Sequence, residues 1–484
     1  MTAEIPQSQS IHGLKKDCLS YGEVIAQSFA VIAPTTVPAA VLGLIFASSG
    51  SGTWLSFLLG MIGLLFVGIN INQFAHRSAS PGSLYSYIVK GLGLTVGVLC
   101  GWSLLLAYLF TGMSTLCGFA IFSQKLLGYV GIHTHILTLF AVGAAAAWYV
   151  AFKDIQLWAK MMLMLEGFSI GSILLLGAII WVQKGFAIDM SQLTLKGATP
   201  GGITMGIVLV VFGFSGFESS TSLGDEAKNP LRSIPKSVLQ STLMAGIFFM
   251  VMAYLEIVGF SGTGVDLGKT EAPLDFLAHQ AGVDFLGLLI SGGACLSFIS
   301  CTLACINPTA RVFFLMARHG LFHTSLGKTH EANLTPDTAI ALSALITFLV
   351  PASLNIFGVK AFDSQGYFGT ICTYGFVLVY ILVSIAAPVY LYRLKKLRTR
   401  DVVFSVVGVA FMLLPVLGTV GIPGSTLFPP PAAPTNAFPY LFLLYLAAGT
   451  GWFFFQRMRY PKMVRRMERS IDAIHASFEN RENL

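Results

Sequence analysis

Long apolar stretches follow one another along almost the whole chain, and short polar segments separate them. A helix of about 20 residues crosses a bilayer core about 30 Å thick, and twelve stretches approach or exceed that length. The pattern therefore predicts an all-α integral membrane protein with twelve transmembrane helices. The predicted spans are 22–47, 51–72, 93–123, 134–152, 157–182, 203–223, 237–261, 284–310, 337–354, 365–392, 402–421 and 437–456.

The composition agrees with this pattern. Of the 484 residues, 55% are hydrophobic and 11% are charged, whereas about 25% of residues in soluble domains carry a charge. These values exclude a soluble globular protein, a disordered chain and a nucleic-acid-binding protein, so the expected partner is the lipid bilayer. The seven cysteines show no metal-ligand spacing and are interpreted as packing residues.

The basic residues orient the predicted helices. With the N-terminus inside, 24 of the 29 lysines and arginines fall on the cytoplasmic side, as the positive-inside rule requires. Both termini are therefore expected in the cytoplasm. We predict a cytoplasmic N-terminal segment over residues 1–20, a transmembrane domain over residues 21–460 and a basic cytoplasmic tail over residues 461–484.

Two predicted spans contain residues that interrupt a helix. The first break, residues 33–38, carries Pro34 and Pro38, and each proline removes a backbone donor and displaces the carbonyl four residues earlier. The second break, residues 212–218, combines Gly213 and Gly216 with Glu218, which makes a poor continuous helix. The two breaks lie five spans apart, so they run in opposite directions across the membrane.

Paired interruptions in corresponding spans are typical of a transporter site at the middle of the membrane. Free N–H groups at a half-helix start favour a carboxylate, and unwound carbonyls favour an ammonium group or cation. The alternative is that the prolines and glycines only aid helix packing, and Tyr108 in the third span has the same alternative. The substrate-binding candidates are Ala33, Pro34, Thr35, Thr36, Val37, Phe212, Gly213, Phe214, Ser215, Gly216 and Tyr108.

Three carboxylates lie inside predicted spans: Glu218, Glu166 and Glu256. An ionisable group at the centre of a membrane helix costs roughly 2.5–3.5 kcal/mol on insertion scales. Each is therefore a candidate proton-coupling group, and Glu218 is favoured because it follows the second break. The alternative is a carboxyl group that is neutral or hydrogen-bonded between helices.

A charged segment follows the sixth span and contains Asp225, Glu226, Lys228 and Arg232. Opposite charges three or four residues apart on a helix can pair, so this segment is a candidate cytoplasmic gate. The alternative is positive-inside topology with surface ion pairs worth about 0–1 kcal/mol. The sequence holds no phosphate-binding loop, zinc-protease motif or nucleophile elbow, so neither a cofactor, a metal nor enzymatic catalysis is expected.

Several motifs resemble those of the amino acid–polyamine–organocation permeases. The strongest runs from Gly216-Phe217-Glu218 into a loop that reads E-x-K-N-P-x-R-x-I-P over residues 226–235. The resemblance covers roughly residues 20–460. Weaker matches lie at Ser80 to Tyr87, at Leu303 to Asn307 followed by Arg311, and at Tyr367 to Thr370.

This resemblance implies a 5+5 inverted-repeat fold of the leucine-transporter type, with spans 1–5 and 6–10 as the repeats and two further helices. It also implies a substrate held at the breaks. Many members carry a G-[SA]-G-type first break, whereas this chain reads Ala33-Pro34-Thr35-Thr36. A break poor in glycine leaves less room for a carboxylate bound by the backbone.

The sequence thus predicts a secondary active transporter of the plasma membrane or bacterial inner membrane. It is expected to move amino acids or related small amines by alternating access, with protons as the coupling ion. An uncoupled exchanger or uniporter of amino acids or polyamines remains open, and a channel or a non-transporting sensor is the more distant alternative.

Overall fold

The protein is described here by a computed structural model, which covers residues 13–153, 155–186, 188–270, 272–461, 464–465 and 467–469. Residues 1–12 of the predicted N-terminal segment and most of the predicted tail lie outside these ranges. The described chain is 78% helical and contains no strand. Its helices are α1 Tyr21–Ile32, α2 Leu42–Ser49, α3 Thr53–Ala75, α4 Leu84–Leu92, α5 Leu94–Tyr129, α6 Ile136–Lys153, α7 Ile155–Gln183, α8 Met190–Leu193, α9 Pro200–Gly213, α10 Pro230–Phe260, α11 Pro273–Gln280, α12 Asp284–Arg318, α13 Asp337–Ile356, α14 Ala361–Arg393, α15 Thr399–Val420 and α16 Phe438–Arg459.

The helices confirm an all-α, multi-pass membrane protein. Ten helical stretches in the described residues are long and apolar enough to cross a bilayer. One of them, Tyr21–Ala75, is 55 residues long and contains the first two predicted spans. The predicted sixth span contains most of the shorter apolar helix α9 and all of the second break. The number of crossings, twelve, stays a prediction.

Both predicted breaks interrupt the helices in the structure. The helix α1 ends at Ile32, and Ala33 takes the left-handed conformation with φ 47°. A short π-helical turn, Val37–Val41, then leads into α2. At the second break, α9 ends at Gly213, and Gly216 has φ 85°. Glycine takes this conformation without a steric penalty, so the chain changes direction there.

The helices α5, α12 and α14 pack beside the two breaks. Small residues let α5 and α14 approach closely: a Cβ atom built on Gly375 would lie 2.8 Å from the Ser103 carbonyl oxygen. The Ser103 hydroxyl donates a 2.9 Å hydrogen bond to the Gly375 carbonyl. Close approach through small and hydroxyl residues is the usual way in which membrane helices associate. It places tyrosines from both helices next to the second break.

Candidate functional site

The two breaks are in direct contact with each other. A Cβ atom built on Gly216 would lie 2.1 Å from Val31 Cγ1, and one built on Gly213 would lie 3.1 Å from Val37 Cγ2. A hydrogen bond also joins the segments next to the breaks: the N–H of Ser220, after the second break, donates to Ser28 Oγ, before the first break, at 3.0 Å. The structure therefore brings the two groups of substrate-binding candidates together at one place.

The candidates within the breaks differ in what their side chains do. All are buried except Phe212, which is half-buried and packs against Gly369 of α14. The Phe214 ring contacts Phe249 of α10 instead, at a centroid distance of 5.1 Å. The hydroxyl of Ser215 donates to the Val211 carbonyl in α9, and that of Thr36 donates to the Ala33 carbonyl. Phe212 is thus the least buried of the aromatic candidates.

Two tyrosines hold the Glu218 carboxylate. Tyr108 Oη donates to Glu218 Oε1 at 2.7 Å, and Tyr380 Oη donates to Oε2 at 2.5 Å. The Gly216 N–H in turn donates to Tyr380 Oη at 3.1 Å. Hydrogen bonds to a charged group are about twice as strong as neutral ones, so this cluster links the second break to α5 and α14. Tyr380 was not among the residues predicted from the sequence, where it is one aromatic residue in an apolar run.

Glu166 of α7 joins the first break to α12. Its Oε2 accepts a 3.1 Å hydrogen bond from Thr35 Oγ1, and its Oε1 accepts a 2.6 Å hydrogen bond from Ser297 Oγ. Glu166 and Thr35 are 3% and 0% exposed. Any movement of the first break relative to α12 must therefore change the hydrogen bonds of this carboxylate.

Glu256 differs from the other two carboxylates. It is fully buried in α10, and neither of its oxygens has a hydrogen-bond partner among the described residues. Burying a carboxylate without a partner is costly, so the neutral acid is the form that fits this position. The structure thus places the three candidate coupling groups in three different surroundings.

The predicted gate segment pairs with a distant helix. Glu226 Oε1 accepts hydrogen bonds from Arg311 Nη2 at 2.5 Å and from Nε at 3.1 Å, and both side chains are no more than 3% exposed. Lys228 and Arg232 are exposed. The charge network that was expected within the segment is therefore replaced, for Glu226, by a buried ion pair to α12.

The chain before α1 covers this ion pair. The N–H groups of Cys18 and Leu19 each donate a 2.8 Å hydrogen bond to the Glu226 carbonyl, and the Lys228 N–H donates to the Leu19 carbonyl. Burial and the nearby Glu226 carboxylate raise the pKa of Cys18 to about 12. The thiol therefore stays protonated at neutral pH, which makes it a weak nucleophile.

Comparison of the sequence with known proteins identifies the family to which the chain is similar. The sequence profile described as amino acid permease matches residues 23–459, which run from α1 to α16. The chain is 27% identical over 324 residues to the branched-chain amino acid permease of Bacillus subtilis, covering 63% of this chain and 69% of that protein. It is 25% identical over 301 residues to the low-affinity putrescine importer of Escherichia coli K12, covering 61% and 66%. It is 21% identical over 361 residues to the methylthioribose transporter of Bacillus subtilis, covering 71% and 75%.

Proposed function

Because the chain belongs to the amino acid permease family, we propose that it carries an amino acid or a related small amine through the membrane by alternating access, coupled to protons. The family and the relatives above are transporters, so the chain is a permease and not an enzyme. The observation that carries the proposal is the contact between the two breaks beside Tyr108 and Glu218. Two half-helices that meet there leave backbone groups available to a substrate.

The surroundings of the breaks favour a substrate with one amino group. The relatives are named for branched-chain amino acids, putrescine and methylthioribose, three different kinds of solute. A diamine needs two anionic partners. Glu166 lines a separate groove between α1, α7 and α10, so of the two carboxylates only Glu218 is left to face an amino group at the breaks. The apolar ring of Phe212 suits an aliphatic side chain. We therefore propose an amino acid or monoamine with an apolar side chain.

Uptake into proteoliposomes tests the substrate class. L-leucine and L-valine represent apolar amino acids, and putrescine and methylthioribose are the comparison solutes. We expect saturable uptake of an apolar amino acid that is lost in Gly216→Ala, because the new methyl group would meet Val31. Gly292→Ala is the matched control, since a Cβ atom there meets nothing within 4 Å. Uptake of putrescine or methylthioribose alone would overturn the proposed substrate class.

Proton coupling is proposed to act through a carboxylate at the breaks, with Glu218 favoured and Glu166 as the second candidate. Alternating access must move the breaks relative to α5, α12 and α14, and the hydroxyl partners of both carboxylates lie on these elements or on the first break. A carboxylate that loses a hydroxyl donor in a buried position binds a proton more readily.

An imposed pH gradient tests the coupling. We expect an inward-directed proton gradient to drive accumulation in the parent protein and to lose its effect in Glu218→Gln or Glu166→Gln, while exchange of internal for external substrate persists. Glu331→Gln is the control, because Glu331 is exposed in the loop before α13. Accumulation that ignores the gradient in the parent protein would favour the uncoupled exchanger or uniporter.

We propose a location in the plasma membrane or bacterial inner membrane, with residues 1–20 and the tail 461–484 on the cytoplasmic side. The distribution of lysine and arginine between the loops supports this orientation. Protease treatment of right-side-out and inside-out vesicles tests it: we expect a C-terminal tag to be removed only in inside-out vesicles. Removal from right-side-out vesicles would refute the orientation.

A further inference from the structure

A groove lies between α1, α7 and α10, and none of its lining residues belongs to either break. Its volume is about 500 Å³, which is within the range of about 300–1,000 Å³ that small-molecule sites occupy. Glu166 lines the groove, and every other lining residue is apolar or glycine. The groove therefore has apolar walls and a single carboxyl group.

The groove opens on the surface that faces lipid. Met244 and Ile247 of α10 form part of its rim and are 51% and 49% exposed. Leu163 of α7 forms another part and is 39% exposed. All three lie in helices that are apolar enough to cross the membrane or in the stretch that leads into one. A ligand therefore reaches this groove from the hydrocarbon of the bilayer.

The carboxyl group decides which ligand fits. Glu166 accepts hydrogen bonds from two neutral hydroxyl groups, those of Thr35 and Ser297, and none of the residues lining the groove in the described chain is a cation. A carboxylate in apolar surroundings is stabilised by an opposite charge. A molecule with one ammonium group and an aliphatic chain supplies that charge and fills the apolar walls.

We propose that this groove binds a lipophilic primary ammonium ion from the bilayer, with its ammonium group at Glu166 and its aliphatic chain against Ile25 and Phe29 of α1. Because α1 is one wall and is the half-helix that precedes the first break, the bound ion holds α1 against α7 and α10. Binding stands on the groove alone, whereas inhibition of transport by the bound ion rests on the proposed function.

Photolabelling in lipid nanodiscs tests the binding. The probe is a dodecylamine that carries a diazirine near the end of its chain, and the uncharged comparison is the dodecanol with the same diazirine. Labelled residues are identified by mass spectrometry. We expect the amine to label residues of the groove at least about tenfold more than the alcohol does, because a hydrogen bond to a charged group adds that much affinity.

Two pairs of variants make the result specific. Gly167 lines the groove, and a Cβ atom there meets nothing within 4 Å, so Gly167→Leu adds an aliphatic side chain at the groove wall. Gly171→Leu is its control, on the exposed surface of the same helix and also without neighbours. We expect Gly167→Leu and Glu166→Gln to abolish the preference for the amine, and Gly171→Leu and Glu331→Gln to keep it.

Equal labelling by amine and alcohol would show a groove for hydrocarbon only and would overturn the proposal. Amine labelling that persists in Gly167→Leu would overturn it as well. Dodecylamine should also inhibit uptake in the Gly171→Leu protein and not in Gly167→Leu. If labelling is specific but no variant transports the proposed substrates, the proposed function is wrong, whereas the proposed binding of the ammonium ion in the groove is supported.

Discussion

Replacement of Glu226 with glutamine removes the negative charge that faces Arg311 and keeps the size of the side chain. The carboxylate accepts two hydrogen bonds from the guanidinium group, and both side chains are almost completely buried. In the variant, the guanidinium group keeps its hydrogen bonds to the carbonyl and side-chain oxygens of Asn307 but has lost its counter-charge. Removing one member of a buried ion pair costs about 3–5 kcal/mol. We expect the free energy of unfolding of Glu226→Gln to fall by that amount.

A double-mutant cycle separates the ion pair from other effects of the substitution. Replacing both members of a buried pair by uncharged residues is often nearly neutral. We therefore expect Glu226→Gln combined with Arg311→Met to be more stable than either single variant. This outcome requires a coupling energy of more than about 3 kcal/mol, the smallest loss expected for the Glu226→Gln variant. The assay is equilibrium unfolding in mixed detergent micelles at a fixed lipid ratio. Glu331→Gln should change the free energy by no more than about 0.5 kcal/mol.

The same variants test the role of this pair in the gate. An ion pair that closes the cytoplasmic side should change the rate of transport more than the affinity for substrate when it is removed. The reasoning is refuted if the free energy of unfolding of Glu226→Gln falls by less than about 1 kcal/mol, since a buried guanidinium group without its counter-charge should destabilise the protein by more than that. It is also refuted if the losses of the two single variants simply add in the double variant.

Further predictions concern the second break and the segment before α1. Gly216→Ala places a methyl group 2.1 Å from Val31 Cγ1 at a φ of 85°, so we expect less folded protein by size-exclusion chromatography, whereas Gly292→Ala should match the parent. Tyr380→Phe removes one of the two hydroxyl groups that donate to the Glu218 carboxylate. We therefore expect the free energy of unfolding to fall by about 1–3 kcal/mol and the pH dependence of uptake to change. An unchanged pH dependence would show that Glu218 does not take part in coupling. Burial and a neighbouring carboxylate raise the pKa of Cys18 to about 12, so we expect maleimide to label this thiol slowly at pH 7 and faster only as the pH rises toward that value; rapid labelling at pH 7 would contradict its burial.

The sequence by itself determined the class of protein and the places where its helices stop. Membrane-spanning segments can be identified from apolar runs alone, because the thickness of the bilayer, and not a contact with another segment, sets their length. The breaks were equally visible: proline lacks a donor whatever surrounds it, and Gly216 adopts its positive φ because it has no Cβ atom. These are local properties, and the structure places both breaks where the sequence predicted them.

The tertiary structure alone decided what each carboxylate contacts. Glu218 meets Tyr380 from 162 residues away, and Glu226 meets Arg311 from 85 residues away. Hydropathy cannot distinguish Tyr380 from the other aromatic residues of its helix, because a hydrogen bond depends on how three helices pack and rotate. The sequence placed three acids inside predicted spans and favoured Glu218, but it could not show which side chains each acid contacts. In the folded protein, Glu218 accepts hydrogen bonds from two tyrosines, and Glu166 accepts them from two hydroxyl groups and lines an open groove. Glu256 has no hydrogen-bond partner among the described residues.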